Sequence, residues 1–267
     1  MNCNGDVKIA AAASFFESAL RLWGNLPSCR AVERGGVLLV STGTAVADQN
    51  YALRTGGGDI KGMVRVAGEF FRSEGMPYSW WIPPGREAAA ESAGVAGAGL
   101  PLLCSPPAMV MSLRGEGLSR AAPRGLEFII CRNSAEAGEW AAASLSGFGS
   151  GLEHLGAFSA FACAMAAGPS AEAFRLVTLR TEGTAAATAM LTVGHETAGL
   201  FYFSVTPRFR RRSLGSALLD FVLEEARRAG RRSVALQASP MGAPLYRGAG
   251  FAACGSFLVH SPYSDAC

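Results

Sequence analysis

Lysine is almost missing from this chain. Of its 24 basic residues only Lys8 and Lys61 are lysines, so 22 are arginines. Beside 33 glycines and abundant alanine, that imbalance reads as codon bias and lowers the weight of any single arginine. Charge is scarce as well. Charged residues make up 17% and the net charge is +3, too little for a general nucleic-acid binder. No apolar run approaches the ~20 residues of a membrane span. The run from Ile9 to Phe16 follows Asp6 rather than clustered positive charge and ends at Glu17, unlike a secretory signal. Phe15, Phe16, Leu20 and Trp23 recur there at helical spacing and predict an amphipathic helix. No CxxC pair occurs among the seven cysteines, Cys3, Cys29, Cys104, Cys131, Cys163, Cys254 and Cys267, and their number is odd. That argues against a zinc or other metal site and against a disulfide framework, and it points to a reducing, cytoplasmic setting. What the chain has in quantity is apolar residues, 49% of 267. That suffices for one large domain or two ordinary ones and excludes wholesale disorder.

Two turn-rich seams organise the chain, Glu91–Met111 and Leu113–Gly125. The second reads as a linker and places the domain boundary between 1–118 and 126–267. In the first part, "GVLLVSTG" and "QNYALRTGG" read as a hairpin, and "DIKGMVRVAGEFFRSEG" as a helix capped by Asp59 and stopped by Gly75. A strand "YSWWIPP", a short helix "GREAAAESAG" and strand-like pieces in "LPLLCSPPAMVMSL" follow. In the second part come a strand "LEFIICR", helices over about 135–145 and 153–167, and the three-strand meander "AFRLVTLR", "TAAATAMLTVGH", "AGLFYFSV". A helix over 213–229, a strand "SVALQAS", a short helix over 244–247 and one last strand "FAACGSFLVH" close the chain. Each part is a mixed α/β unit with a similar element order, which is compatible with a distant duplication.

The stretch "VTPRFRRRSLGSALLDFVLEEARRAG" concentrates the chemistry. Pro207 ends the strand because it cannot donate to a ladder. Arg208, Arg210, Arg211 and Arg212 crowd the turn, and Gly215 and Ala217 are the smallest residues in the first turn of the helix that follows. Small residues at a helix start let a ligand approach free N–H groups, and positive potential there favours an anion. A solvated corner is the competing explanation. The stretch "LQASPMGAPLYRGAGF" adds a strand, a Pro/Gly break, a short helical turn with Tyr246, and Gly250-Phe251.

Together, Val205, Pro207, Arg210, Gly215, Leu245, Tyr246, Gly250 and Phe251 resemble, in register, the motifs of the GCN5-related N-acetyltransferase family over about 126–260. Arg211 and Ser213 stand where that family commonly has glycine, and Ser239 where it often has asparagine. A literal Arg212-x-x-Gly215-x-Ala217 match is out of step with Pro207. The resemblance implies two tandem acyl-CoA N-acyltransferase-like domains of α/β (α+β) class, each a mixed, mostly antiparallel sheet with flanking helices. It implies acetyl-CoA as cofactor, its pantetheine arm beside Phe203, Ser204 and Val205. The pyrophosphate lies on the loop from Arg210 through Arg211, Arg212, Ser213, Leu214 and Gly215 to Ser216, with Ser239 as a further contact. It implies Tyr246 as the acid that protonates the leaving thiolate, and a small-molecule or peptide amine as acceptor, with no nucleic acid or membrane partner. A packing tyrosine is the alternative for Tyr246. No general base is legible among Glu153, His154, Glu172, Glu182, His195 and Glu196. The first part is similar to N-terminal domains of two-domain acetyltransferases that lack the cofactor motif; Trp80, Trp81 and Met109 to Met111 line an acceptor pocket there or pack in a core. Ser213 and Ser239 keep open a non-catalytic acyl-CoA-binding or scaffold protein, and transfer of another acyl group is a further alternative.

Overall fold

A computed structural model describes residues 3–113, 125–193 and 196–263. In chain order these form α1 (Cys3–Gly24), β1 (Arg30–Arg34), β2 (Val37–Ser41), β3 (Asn50–Arg54), α2 (Ile60–Glu74), β4 (Ser79–Ile82), α3 (Ala88–Gly97), β5 (Leu102–Cys104) and β6 (Pro107–Ser112). Next come β7 (Leu126–Ile130), α4 (Ser134–Phe148), α5 (Leu155–Ala167), β8 (Phe174–Thr181), β9 (Thr184–Thr192) and β10 (Thr197–Val205). Last are α6 (Leu214–Arg228), β11 (Ser233–Gln237), α7 (Ala243–Ala249), β12 (Ala252–Ser256) and β13 (Leu258–His260). The strands make a six-stranded sheet, β1-β2-β3-β4-β13-β5, and a seven-stranded sheet, β12-β6-β11-β10-β9-β8-β7. The α/β class, mixed sheets and flanking helices are those expected. The chain forms two compact units, Met1–Met109 with Gln237–Ala243 and Ala253–Cys267, and Val110–Leu236 with Pro244–Ala252. A cut between 118 and 126 assigns the final segment differently, and 114–124 lies outside the described residues.

The first unit is built by close turns and caps. Gly35 and Gly36, at φ 60° and 78°, join β1 to β2 where Arg34 pairs with Val37. Two left-handed residues in a two-residue loop match the twist of a hairpin. This hairpin precedes the expected one between β2 and β3, which also forms, antiparallel from Val37↔Arg54 to Ser41↔Asn50. Asp59 caps α2 by accepting from the N–H groups of Lys61 (3.2 Å) and Gly62 (2.9 Å), and Gly75 ends the helix at φ 67°. Fully buried Asn50 accepts from Thr42 N–H (3.0 Å) and donates to the carbonyls of Thr44 and Pro77, both at 2.8 Å. The N-terminal helix buries Phe15, Phe16, Leu20 and Trp23 as its spacing predicts. Trp80 and Met109 are also fully buried, and Trp81 lies against Phe16 at 5.2 Å between ring centroids. Trp80 and Met109 are therefore core residues rather than pocket lining.

Two expectations need correction. "FAACGSFLVH" is not one strand. It breaks at fully buried Phe257, so that β12 joins the seven-stranded sheet and β13 the six-stranded one. The cysteines are not all thiols either: Cys104 is disulfide-bonded, while Cys29, Cys131, Cys163 and Cys254 are free. Spacing alone cannot reveal such a pairing. No helix of the described residues is long and apolar enough to cross a membrane, and no group of metal-ligating side chains occurs among them.

The second unit centres on the meander. β7 pairs with β8, β8 with β9 and β9 with β10, all antiparallel, and β10 pairs with β11 in parallel. Trp140 of α4 is fully buried and donates its indole N–H to the Ala189 carbonyl of β9 (3.1 Å). Fully buried Leu218 and Val222 bring the stripe of α6 into the core. The turn between β8 and β9 holds Glu182 and Gly183 at φ 53° and 68°.

One buried histidine makes the first unit sensitive to acid. His260 Nδ1 lies 2.9 Å from the Leu100 carbonyl, so Nδ1 carries the hydrogen and Nε2 accepts from the Ser92 hydroxyl (2.9 Å). Burial lowers its pKa below the ordinary histidine value. The folded state therefore binds fewer protons than the unfolded one. Stability contributed by neutral His260 is complete above the unfolded pKa of about 6.5 and is lost as pH falls toward the folded pKa. Thermal unfolding at pH 7.5 and 5.5 should show a larger drop in Tm for the wild type than for His260→Gln. Equal drops would remove His260 as the cause.

Candidate active site

The site begins where two parallel strands part. β10 and β11 pair only at Thr197↔Ser233, Ala198↔Val234 and Gly199↔Ala235, although β10 runs on to Val205. On its other side β10 stays with β9 but takes a bulge: Tyr202 and Phe203 together oppose Ala189, and Tyr202 has φ 48°. Past the bulge, side chains alternate. Ser204 points toward α4, where its hydroxyl is 3.0 Å from that of Thr188. Phe203 and Val205 point toward the start of α6, within 4 Å of where a Cβ on Gly215 would stand. The Ser204 hydroxyl is thus engaged on the side of β9 and α4.

The loop after β10 sorts its arginines. Pro207–Phe209 make one 3₁₀ turn, and Phe209 is 1% exposed. The guanidinium groups of Arg208 and Arg212 lie over its ring, at 5.2 and 5.4 Å, and both reach Glu182, at 3.9 and 3.2 Å. Arg210 donates to the Val205 carbonyl (3.1 Å) and the Gly147 carbonyl (2.8 Å). For the exposed Arg211, no ion pair or hydrogen bond occurs among the described residues. Arg211 and Ser213 take φ of 62° and 58°, a region that disfavours any Cβ. They are the two positions where the motif this stretch resembles commonly has glycine.

Ser213, left-handed with ψ 12°, precedes α6 and places no side-chain cap on it. A left-handed residue followed by a right-handed one converges successive N–H groups into an anion-binding concavity. The N–H groups of Leu214, Gly215 and Ser216 begin the helix, whose dipole is positive at this end. Leu214 is buried, Gly215 half-buried and Ser216 exposed. A Cβ on Gly215 would meet Leu245 at 3.4 Å, an ordinary contact. The first unit has a counterpart in β3, a loop with Gly56, Gly57 and Gly58, α2, and β4 parallel to β3. There the Asp59 carboxylate already occupies the helix N–H groups.

Tyr246 on α7 is 6% exposed, with its ring edge-on to Phe203 (5.8 Å) and Phe251 (5.6 Å). Burial raises its pKa above the usual tyrosine value, so it stays protonated well into the alkaline range. No hydrogen bond engages its hydroxyl among the described residues. Ser239 accepts from Gly242 N–H (3.1 Å), and its carbonyl from Ala243 N–H (2.9 Å), which caps α7. No carboxylate among the candidate bases joins the tyrosine. Glu182 serves the arginines, Glu153 faces His154 at 3.6 Å, Glu196 faces Arg232 at 3.4 Å, and His195 lies outside the described residues.

Gly147, near the end of α4, escaped sequence reasoning. A Cβ there would collide with the Ser204 hydroxyl, so only glycine lets α4 come this close to β10. Sequence reading ends this helix at about residue 145, short of Gly147, whereas α4 runs on to Phe148.

The acetyltransferase (GNAT) family model matches residues 152–251, from just before α5 to the end of α7. No curated protein sequence matches the chain. Among solved structures, a GCN5-related N-acetyltransferase from Kribbella flavida is similar with TM-score 0.68 and 16% identity, covering 93% of this chain and 95% of that one. A GCN5-related N-acetyltransferase from Sphaerobacter thermophilus gives 0.61 and 18%, covering 91% and 84%. A tandem GNAT protein from the clavulanic acid biosynthesis pathway gives 0.57 and 16%, covering 90% and 84%. The acetyltransferase (GNAT) family model thus matches residues 152–251, and the fold of the chain is similar to that of GCN5-related N-acetyltransferases.

Proposed function

We propose that the second unit binds acetyl-CoA and transfers its acetyl group to a primary amine of a small molecule or peptide, in the cytoplasm. The observation that carries this reading is the bare start of α6. Its first N–H groups take no side-chain cap, Ser213 aims them together, and the unengaged Arg211 stands beside them. The groups present suit a pyrophosphate, because main-chain amides and one free guanidinium are what it needs. The arm would lie along the edge of β10 that β11 leaves unpaired, past Phe203, Ser204 and Val205. The first unit, with Asp59 already on the corresponding amides, is proposed as the cofactor-free partner.

When bound, acetyl-CoA supplies a thioester carbonyl for an amine to attack and a sulfur that departs. Tyr246 holds a proton at its hydroxyl, and the Phe203 and Phe251 rings pack edge-on against its own ring. Burial keeps the proton in place at any physiological pH, so the tyrosine serves as acid and not as base. Water is proposed to take the proton of the attacking amine; among the described residues Glu153, Glu182 and Glu196 face other side chains.

Titration calorimetry should show one CoA per chain. Gly215→Ala should fold and bind, because its added methyl makes ordinary contacts. Gly215→Glu should show no measurable binding, since its carboxylate would occupy the same space with the same charge. Unchanged affinity in Gly215→Glu, or two CoA per chain, counts against the proposed site. Arg211→Ala should weaken CoA binding a few-fold, by ~0.5–1 kcal/mol for a solvent-screened pair, and make it less sensitive to salt.

Tyr246→Phe keeps the ring and removes the acid. Its kcat for thioester cleavage with a responsive amine should fall by ~10²–10⁴-fold while CoA affinity stays the same. Because burial raises the pKa, the wild-type rate should show no tyrosine limb at or below the ordinary value of about 10. Full turnover by Tyr246→Phe would return proton delivery to water.

A further inference from the structure

We propose that Arg210 is a positioning residue, whose guanidinium holds the loop amides in place and does not itself meet the cofactor phosphates. The inference rests on the cofactor site proposed above. Arg210 Nε donates to the Val205 carbonyl at the end of β10 (3.1 Å), and Nη2 donates to the Gly147 carbonyl in the last turn of α4 (2.8 Å). One side chain therefore ties strand, helix and loop together. The last carbonyls of a helix lack intrahelical partners and carry the negative end of its dipole, so a cation is favoured there. Gly147 can reach this position only as glycine, because any Cβ would strike the Ser204 hydroxyl. Ser204 is itself held by Thr188 at 3.0 Å.

The brace explains how the loop tolerates its strain. The residue after Arg210 is left-handed Arg211, and left-handed Ser213 follows two further on. Non-glycine residues persist in that region only where their surroundings over-determine them. Two anchors stand immediately before the segment, buried Phe209 and the Arg210 fork. The fork also shows why arginine stands here. A guanidinium presents rigid donors in two directions at once, whereas an ammonium on a flexible stem cannot hold two separated carbonyls in a fixed geometry.

The test compares Arg210→Lys, Arg210→Ala and Arg211→Ala, titrated with CoA at several salt concentrations. Both Arg210 variants should raise Kd about tenfold, the equivalent of one charge-assisted hydrogen bond. Lysine should fail to restore affinity, and the dependence of log Kd on log salt should keep its wild-type slope. Arg211→Ala should flatten that slope. Restoration by lysine, or a flattened slope in either Arg210 variant, would make Arg210 a phosphate-facing charge and overturn the proposal. Hydrogen exchange on the unliganded chain gives a reading independent of the cofactor. Amides of 206–216 should exchange faster in Arg210→Lys while those of β8 and β9 do not change. Faster exchange throughout β8–β10 would mark a general structural role, and no change at all would remove the brace; either result defeats the proposal. Absence of CoA binding by the wild type would defeat the cofactor site and leave the exchange result to decide on Arg210.

Discussion

The second unit depends on two strands ceasing to pair. β10 and β11 hold three residue pairs and then separate, which leaves one edge of β10 without its ladder from Leu200 onward. Main-chain groups released in this way seek other partners. At Val205 the partner of the carbonyl is the Arg210 guanidinium (3.1 Å). The bulge at Tyr202 and Phe203 adds twist at the same place and turns Phe203 toward Tyr246. The small residues Gly147 and Gly215 are the places where helices approach this stretch, one from α4 and one at the start of α6.

Four arginines on one turn have three different situations. Arg208 and Arg212 flank Phe209 and meet Glu182, Arg210 spans two carbonyls, and Arg211 is left to solvent. Glu182 reaches them because its own turn puts it in a left-handed conformation at the end of the β8–β9 hairpin. Neither explanation weighed for the cluster describes it as a whole. Part of it is a paired, solvated corner, and part remains positive potential at a helix start. The left-handed conformation at Arg211 and Ser213 costs roughly 1–2 kcal/mol per residue against glycine. It is borne where successive amides converge on the start of α6.

The two units answer the same backbone problem differently. Each has a strand, a loop and a helix whose first N–H groups lack intrahelical partners. α2 satisfies two of them with Asp59, and the surrounding residues Met63, Val64, Trp80 and Val95 pack as an ordinary core. α6 leaves them open beside arginine. An acidic cap and a bound anion compete for the same groups, so one residue type at one position separates a closed helix start from an open one.

The sequence by itself determined most elements and several of their ends. Asp59 and Gly75 delimit α2, the stripe of Leu218, Val222 and Leu223 commits α6 to the core, and Pro207 stops β10, because caps, periodicity and a missing N–H act locally. The order of Val205, Pro207, Gly215 and Tyr246 also pointed to the family. Tertiary structure alone decided what each side chain touches. Nothing local tells that Gly147 must lack a Cβ, that Ser204 faces α4 while Phe203 faces Tyr246, or that Arg210 is engaged and Arg211 is not. Those outcomes depend on partners up to 63 residues away in the chain, as between Arg210 and Gly147. The split of the last strand at Phe257 has the same origin. Its residues have strand character throughout, and only the presence of two sheets decides that β12 joins one and β13 the other.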